Sequence, residues 1–244
     1  MFDEVQLGSA QVVWRSSRLN ERGVKHGFTT RALNVRSADD VAEVIRAAPW
    51  FSPDEPPRVI LSKQVHGGGV DTPSHRLDEA DAHVTDDPHE VVVVRTADCV
   101  PVLLSSADGR VVAAVHAGWR GLDPAVGVIG KAVEVLTRCA GAASADGVVA
   151  AVGPCVSVQR YEVGEEVAGR FRAATPQAVR DDLGVKPHLD TRAVAVAQLR
   201  AVGLSVDDID VFPGCTFDDE ASFFSYRREG PGVGHLAAMI APRG

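Results

Sequence analysis

The apolar positions of this chain change period several times, and each change marks an element. Val12-Val13-Trp14 and Lys25-His26-Gly27-Phe28 read as short early strands. From Ala38 to Ala48 the spacing becomes helical, with Val41, Val44 and Ile45 on one face. Pro49 to Pro57 is a proline-rich acidic loop. Arg58 to Gln64 reads as a strand delivering His66 into the turn Gly67-Gly68-Gly69. Val91-Val92-Val93-Val94 is short, β-branched and wholly apolar, which predicts a strand buried on both faces. Val100 to Leu104 follows at once, and Pro101 predicts a bend or bulge beside Cys99. Asp108-Gly109 signals a tight turn before a strand from Val111 to Val115. That arrangement places Cys99 and His116 on neighbouring strands.

The second half reads in the same way. A helix is predicted from about Pro124 to Cys139, with Val128, Ala132, Val135 and Leu136 as its apolar face. Val148 to Val152 is a strand ending at Gly153-Pro154-Cys155. Gly164 to Ala173 and Thr191 to Val202 are helical; Ile209 to Phe212 and Phe223 to Tyr226 read as strands. His235 to Ala241 is read as the strand that closes the sheet. Strands and helices mix without a regular βαβ rhythm, so the expected fold is a layered α/β sandwich with a mixed sheet. The chain is read as one domain over residues 1–244.

Composition narrows the functional classes. Hydrophobic residues are 45% of the 244 and charged residues 24%, ordinary values for a globular chain with a substantial core. The formal net charge of -8 disfavours nucleic acid and anionic membrane as partners. No apolar run approaches the roughly 20 residues of a membrane span. Met1-Phe2-Asp3-Glu4-Val5 has no signal-peptide character. Cys99, Cys139, Cys155 and Cys215 form no CxxC and read as free thiols. The expectation is a soluble cytoplasmic protein, monomeric or homodimeric.

The candidate chemistry collects where strands meet turns. His66, Cys99 and His116 offer two imidazoles and a thiolate, a set that suits zinc and leaves a fourth position for water or substrate. They are far apart in sequence, so no local ligand motif exists. The same atoms also read as a nucleophile, Cys99, with His116 as its base and Asp98 or another acid orienting the imidazole. A third reading makes them ordinary turn and core residues. Gly118-Trp119-Arg120-Gly121 before a helix presents backbone N–H groups and a guanidinium to an anion, or is simply a glycine-rich turn. Tyr161, and the run Phe223-Phe224-Ser225-Tyr226-Arg227-Arg228, place aromatics beside cations that suit an aromatic, anionic ligand. Their alternatives are a core tyrosine and a terminal strand with a basic edge. His75, His83 and His89 fall in an acidic stretch and read as solvated loop residues; the segment Asp78 to Ala82 is a candidate polar wall near Cys99.

Taken together, Lys63-Gln64-Val65-His66-Gly67, Ala80-Asp81-Ala82, Thr96 to Val102, His116 to Gly121, Gly153-Pro154-Cys155, Tyr161-Glu162-Val163, and Cys215-Thr216 with Phe223 to Arg228 resemble the YfiH family, also called laccase-domain or polyphenol-oxidase-like. The resemblance implies a single α/β sandwich related to a bacterial toxin's cysteine-hydrolase fold. It implies zinc on His66, Cys99 and His116. Read from the residues themselves, Cys99, His116 and Asp98 are the catalytic candidates. Gln64, Arg120, Tyr161, Arg227 and Arg228 are the substrate-binding candidates. The activity it implies is a purine nucleoside phosphorylase, taking adenosine, inosine, guanosine or methylthioadenosine with phosphate, and an accompanying adenosine deaminase. Three other readings stand beside it: a Cys-His hydrolase editing peptidoglycan precursors, a copper-dependent polyphenol oxidase, and a non-catalytic zinc-stapled binding protein. The chain departs from the family pattern in a shortened loop after Arg31, in the segment after Cys155, and in His235, where an Arg is usual.

Overall fold

The computed structural model describes residues 1–7, 11–52 and 55–244, so Pro53 and Asp54 of the expected acidic loop lie outside the described residues. Along the chain run β1 (Phe2–Leu7), β2 (Gln11–Ser16), α1 (Ser17–Glu21), β3 (Lys25–Thr29), α2 (Ala38–Ala47), β4 (Arg58–Ile60), β5 (Val70–Asp71), β6 (Ala82–Thr85) and β7 (Glu90–Thr96). Then come β8 (Val100–Ser105), β9 (Val112–Ala117), α3 (Trp119–Leu122), α4 (Val128–Cys139), β10 (Val149–Val152) and α5 (Glu165–Arg172). The rest are β11 (Val179–Arg180), β12 (His188–Leu189), α6 (Thr191–Ala201), β13 (Ile209–Val211), α7 (Tyr226–Glu229) and β14 (Leu236–Ala241).

Two six-stranded sheets carry the architecture, in the orders β1-β2-β3-β14-β7-β4 and β13-β10-β8-β9-β6-β5. Each is mainly antiparallel with parallel pairing at an edge: β4 with β7 in the first, β10 with β13 and β5 with β6 in the second. The alternation of β7 shows how the layers stack. Val92 and Val94 face the second sheet, against Leu103, Val112 and Ala114. Val91 and Val93 face the other way, against Val41, Val44 and Ile45 of α2. The second sheet is likewise covered on its outer face, by α4, α5 and α6. The result is four layers, helix–sheet–sheet–helix, which is why β7, β8 and β9 read as apolar runs rather than half-polar strands.

Most predicted elements are present, and the differences have local causes. The strand predicted over Arg58 to Gln64 stops at Ile60, and α4 begins at Val128, after a turn in which Asp123 accepts from Val126 and Gly127 N–H groups. Pro101 makes no bulge: the β8–β9 register runs unbroken from Val100↔Ala117 to Ser105↔Val112. The missing N–H lies on the β10 side, beyond the last β8–β10 pair at Val102↔Val152, so no ladder bond is lost. β14 does not close an edge; it lies in the middle of the first sheet, between β3 and β7. Phe223 to Tyr226 is no strand. Phe223 and Phe224 are buried with Phe212 and Leu236, and Ser225 caps α7 by accepting from the Arg228 N–H. β1 went unread because its charged residues sit on a solvated edge.

His83 is the largest departure. It is fully buried on β6 opposite Ala114, with Nδ1 3.3 Å from Asp71 Oδ2. The acidic stretch around it looks solvated in sequence, yet Asp71, Asp81 and Glu90 are all buried and hydrogen-bonded. His75 and His89 are exposed, as expected.

Candidate metal centre and active-site cleft

Three chain segments deliver the candidate ligands to one seam between the sheets. Cys99 ends the link that steps from β7 in the first sheet to β8 in the second. His116 lies on β9 opposite Pro101, two residues along from the cysteine. His66 arrives on the loop between β4 and β5. Only two non-glycine residues among those described have positive φ, His66 at 58° and Asp98 at 90°, and both belong to this seam.

Each strained position is held by a carboxylate. Asp81 accepts from the backbone N–H groups of His66 at 2.9 Å and Gly67 at 2.7 Å, and from His116 Nδ1 at 2.8 Å. Its own carbonyl accepts the His116 N–H at 2.7 Å. An ionised carboxylate only accepts, so the His116 ring proton sits on Nδ1 and Nε2 is left for a ligand. Asp98 accepts from Thr216 Oγ1 at 2.6 Å, Ser225 Oγ at 3.0 Å and the Arg227 N–H at 2.7 Å. Of the acids open to orient His116, Asp98 or another, the one that does so is therefore Asp81 and not Asp98.

His66, Cys99 and His116 put their ligand atoms within 4.8 Å of one another, with Cys99 Sγ 3.9 Å from His66 Nε2. The two imidazole rings stand 4.7 Å apart at 86°. Gly118 permits this closeness: a Cβ there would lie 2.8 Å from His66 Cδ2 and 3.2 Å from Cys99 Sγ. Burial alone raises the Cys99 thiol, but the charge and hydrogen bond of His116, with those of His66, overcome it and bring its pKa down to about 6. Burial lowers His116, and the Cys99 thiolate and Asp81 overcome that, raising it to about 9. Two imidazole nitrogens and a thiolate within this span can bind a metal whose bonds are about 2.0–2.3 Å long.

The group sits in a cleft of about 800 Å³. Gln64, Asp98, Arg120, Tyr161 and Arg227 line it with the three ligands, so the fold gathers most of the sequence-predicted site. Their states differ. Gln64 is strapped at both ends to the Arg95 backbone, donating to its carbonyl at 2.7 Å and accepting its N–H at 2.8 Å. The Arg120 guanidinium lies 4.7 Å over the Trp119 ring and that of Arg227 4.9 Å over Tyr161. Arg228 does not reach the cleft: its guanidinium donates to the carbonyls of Thr216, Phe217 and Phe223. Its expected place beside Arg227 on a strand is lost because the two lie on successive positions of α7 and diverge. Arg95 and Thr191 also line the cleft and were missed as site residues; His235, expected only as a departure from the family pattern, lines it too. For Arg95 and His235 a signal existed, since each adjoins a recognised strand end.

The match to known families fits this geometry. Residues 18–243 match the family described as multi-copper polyphenol oxidoreductase laccase. The chain belongs to this family. Among its laccase-like relatives, a protein named purine nucleoside phosphorylase from Deinococcus radiodurans is 38% identical over 89% of this chain and 88% of its own length. One of the same name from Mycobacterium tuberculosis H37Rv is 40% identical over 75% of this chain and 72% of its own. A protein named adenosine deaminase RL5, from an unknown prokaryotic organism, is 36% identical over 74% and 69%. Among solved structures, YlmD from Geobacillus stearothermophilus superposes with a TM-score of 0.82 at 25% identity, covering 100% of both chains. Bacillus licheniformis YfiH gives 0.83 at 22% identity over 99% and 98%. Among the described residues, no helix of this laccase-like chain is long and apolar enough to cross a membrane.

Proposed function

We propose that this protein is a zinc-dependent purine nucleoside phosphorylase whose residues 1–244 act as one domain. The observation that carries the reading is a His-Cys-His ligand group on the floor of a cleft with cationic and aromatic walls. The names of the relatives support it. His66, Cys99 and His116 would hold the ion. When bound, it supplies a Lewis acid and a positive charge beside the reacting oxygen atoms.

The chain's own side chains do the remaining work. Tyr161 and Trp119 offer faces to a purine, and the cleft's arginines offset phosphate charge. In the reaction a phosphate oxygen forms a bond to C1′ of the pentose while the C1′–N9 bond breaks. The bonding pair leaves with the purine, which takes up one proton. Asp98 spends both carboxylate oxygens on fixed donors. We assign it to positioning Cys99 and Arg227 in preference to donating that proton. An adenosine deaminase activity in the same cleft is part of the proposal, supported by the RL5 relative.

One observation favours a second reading. Cys99, His116 and Asp81 stand as thiolate, imidazolium and orienting acid, the arrangement of a Cys-His hydrolase. A copper oxidase fits less well: among the described residues one group of His, Cys and carboxylates has the spacing to hold an ion, whereas oxygen reduction at several coppers needs more.

The test is metal analysis joined to product analysis with inosine and phosphate, on wild type and Cys99→Ala. Zinc and pentose-1-phosphate in wild type, with both lost in the variant, support the proposal. Turnover that survives chelation, with a covalent adduct on Cys99, transfers the assignment to the hydrolase.

A further inference from the structure

Most guanidinium groups near this chain's many carboxylates are ion-paired, as Arg58, Arg76, Arg170 and Arg172 are. The three arginines lining the cleft, Arg95, Arg120 and Arg227, form no ion pair among the described residues. Among the described residues the cleft's one carboxylate, Asp98, already accepts from three fixed donors on both its oxygens. In a chain of net charge -8 the cleft is thus a local positive field, and its preferred occupant carries negative charge.

Within that field one corner is built differently from the others. Arg120 and Arg227 lie over aromatic rings, where they help form a flat wall. Arg95 lies over none; Nη1 of its guanidinium is fixed by the Arg36 carbonyl. β14 pairs with β7 so that Ala237 is opposite Arg95. His235 immediately precedes Leu236, which pairs with Thr96, so it meets the end of β7 next to Arg95, and both residues border the cleft. Arg95 Nε and His235 Nδ1 are both buried with no hydrogen-bond partner among the described residues. The His235 backbone N–H is tied to Asn34 Oδ1 at 3.0 Å, which fixes where its ring starts. Burial, then the charges of Arg95 and Arg36, weigh against protonation of His235, as expected of an imidazole set among cations. Two polar side chains with unmet hydrogen-bonding capacity, in a corner where Arg95 has no ion-pair partner among the described residues, call for an acceptor-rich anion.

We propose that Arg95 and His235 form the phosphate subsite of the cleft whose Tyr161–Arg227 pair takes the purine. This rests on the phosphorylase reading, but binding tests it separately. The ligand chemistry is a tetrahedral oxyanion accepting from the Arg95 guanidinium and the His235 ring. Its source is free orthophosphate rather than the ester phosphate of a nucleotide.

The zinc-loaded full chain is titrated calorimetrically with inorganic phosphate and, separately, with adenosine 5′-monophosphate, in wild type, Arg95→Gln, Arg95→Lys and His235→Asn. Zinc content and melting temperature are recorded for each. The expected result is phosphate binding weakened tenfold or more in Arg95→Gln and His235→Asn and partly restored in Arg95→Lys, with metal content retained. In turnover, KM for phosphate rises by the same factor while KM for inosine stays within twofold. Phosphate affinity unchanged in both variants overturns the subsite. So does a parallel loss of phosphate and inosine affinity. Arg95-dependent binding of the nucleotide without binding of free phosphate overturns the choice of source. Arg95-dependent phosphate binding in a wild type that makes no pentose-1-phosphate upholds the subsite and sinks the phosphorylase.

Discussion

Asp81 holds His116 twice, by its carboxylate on Nδ1 at 2.8 Å and by its backbone carbonyl on the N–H at 2.7 Å. The same carboxylate also gathers the N–H groups of His66 and Gly67. One side chain thereby sets the tautomer of one candidate ligand and the loop of another. Asp81→Asn keeps the shape but offers an amide N–H where an acceptor is needed. Zinc affinity is expected to fall about 10–100-fold. Competition against a chromophoric chelator measures it, and affinity within twofold of wild type would refute the relationship.

Gly118 has an ordinary φ of -73°, so an alanine there carries no backbone strain. Its Cβ would nonetheless press on His66 and Cys99 at 2.8 and 3.2 Å. Gly118→Ala is expected to lose metal and turnover together while circular dichroism stays native. Full zinc occupancy in the variant would show that the ligand loops have more room than their packing indicates.

Asp98 ties Cys99's neighbour to Thr216, Ser225 and Arg227. Asp98→Ala leaves a buried hydroxyl pair and an N–H without their acceptor, a loss of about 2–4 kcal/mol at roughly 1–3 kcal/mol per orphaned group with partial relaxation. Urea unfolding reads the stability. The positioning role predicts that turnover falls by the same factor at every pH, with the shape of the pH–rate profile kept; loss of one limb of that profile would instead restore Asp98 as a proton donor.

His26 is kept neutral, first by burial and then by the charge of Arg15, with its pKa lowered from 6.5 to about 3. Its Nε2 accepts the Ser16 N–H at 2.9 Å and Nδ1 lies 3.2 Å from the Val24 carbonyl. The unfolded chain therefore binds one more proton than the folded chain between those two values. Stability is complete above pH 6.5 and declines as pH falls toward 3, by about 2 kcal/mol at pH 5. Urea midpoints at pH 7 and pH 5 measure the slope. His26→Gln, though less stable at pH 7, should show a flatter one; an unchanged slope would assign the acid sensitivity to the carboxylates.

How far the sequence could be read depended on whether a residue's role was local. Val91 to Val94 announced a strand covered on both sides because burial acts on every residue of the run. His66, Cys99 and His116 were visible because each ends or follows a strand in a distinctive turn. The strand pattern put Cys99 beside His116, but only the family resemblance brought His66 to them, since that meeting depends on β7 and β8 belonging to different sheets and on a crossover no short window contains. Asp81 appeared as part of a polar wall and of one family-like stretch, without a role; its carboxylate's four acceptor contacts come from partners 14 to 35 residues away. His83 and Glu90 were misread because a run of charges resembles a solvated loop until its pairing with Arg76, Thr85 and Asp71 is known. Phe223 and Phe224 satisfied a strand pattern equally well by filling an aromatic cluster.

The passage of residues 97–99 from one sheet to the other has a mechanical corollary. An ion clasped by Cys99 and His116 would act as a rivet across the join, so slippage between the layers is felt first as a change in how tightly it is gripped. Trimming Leu103, deep in the interior and remote from the opening, should therefore loosen the grip before it unfolds the molecule.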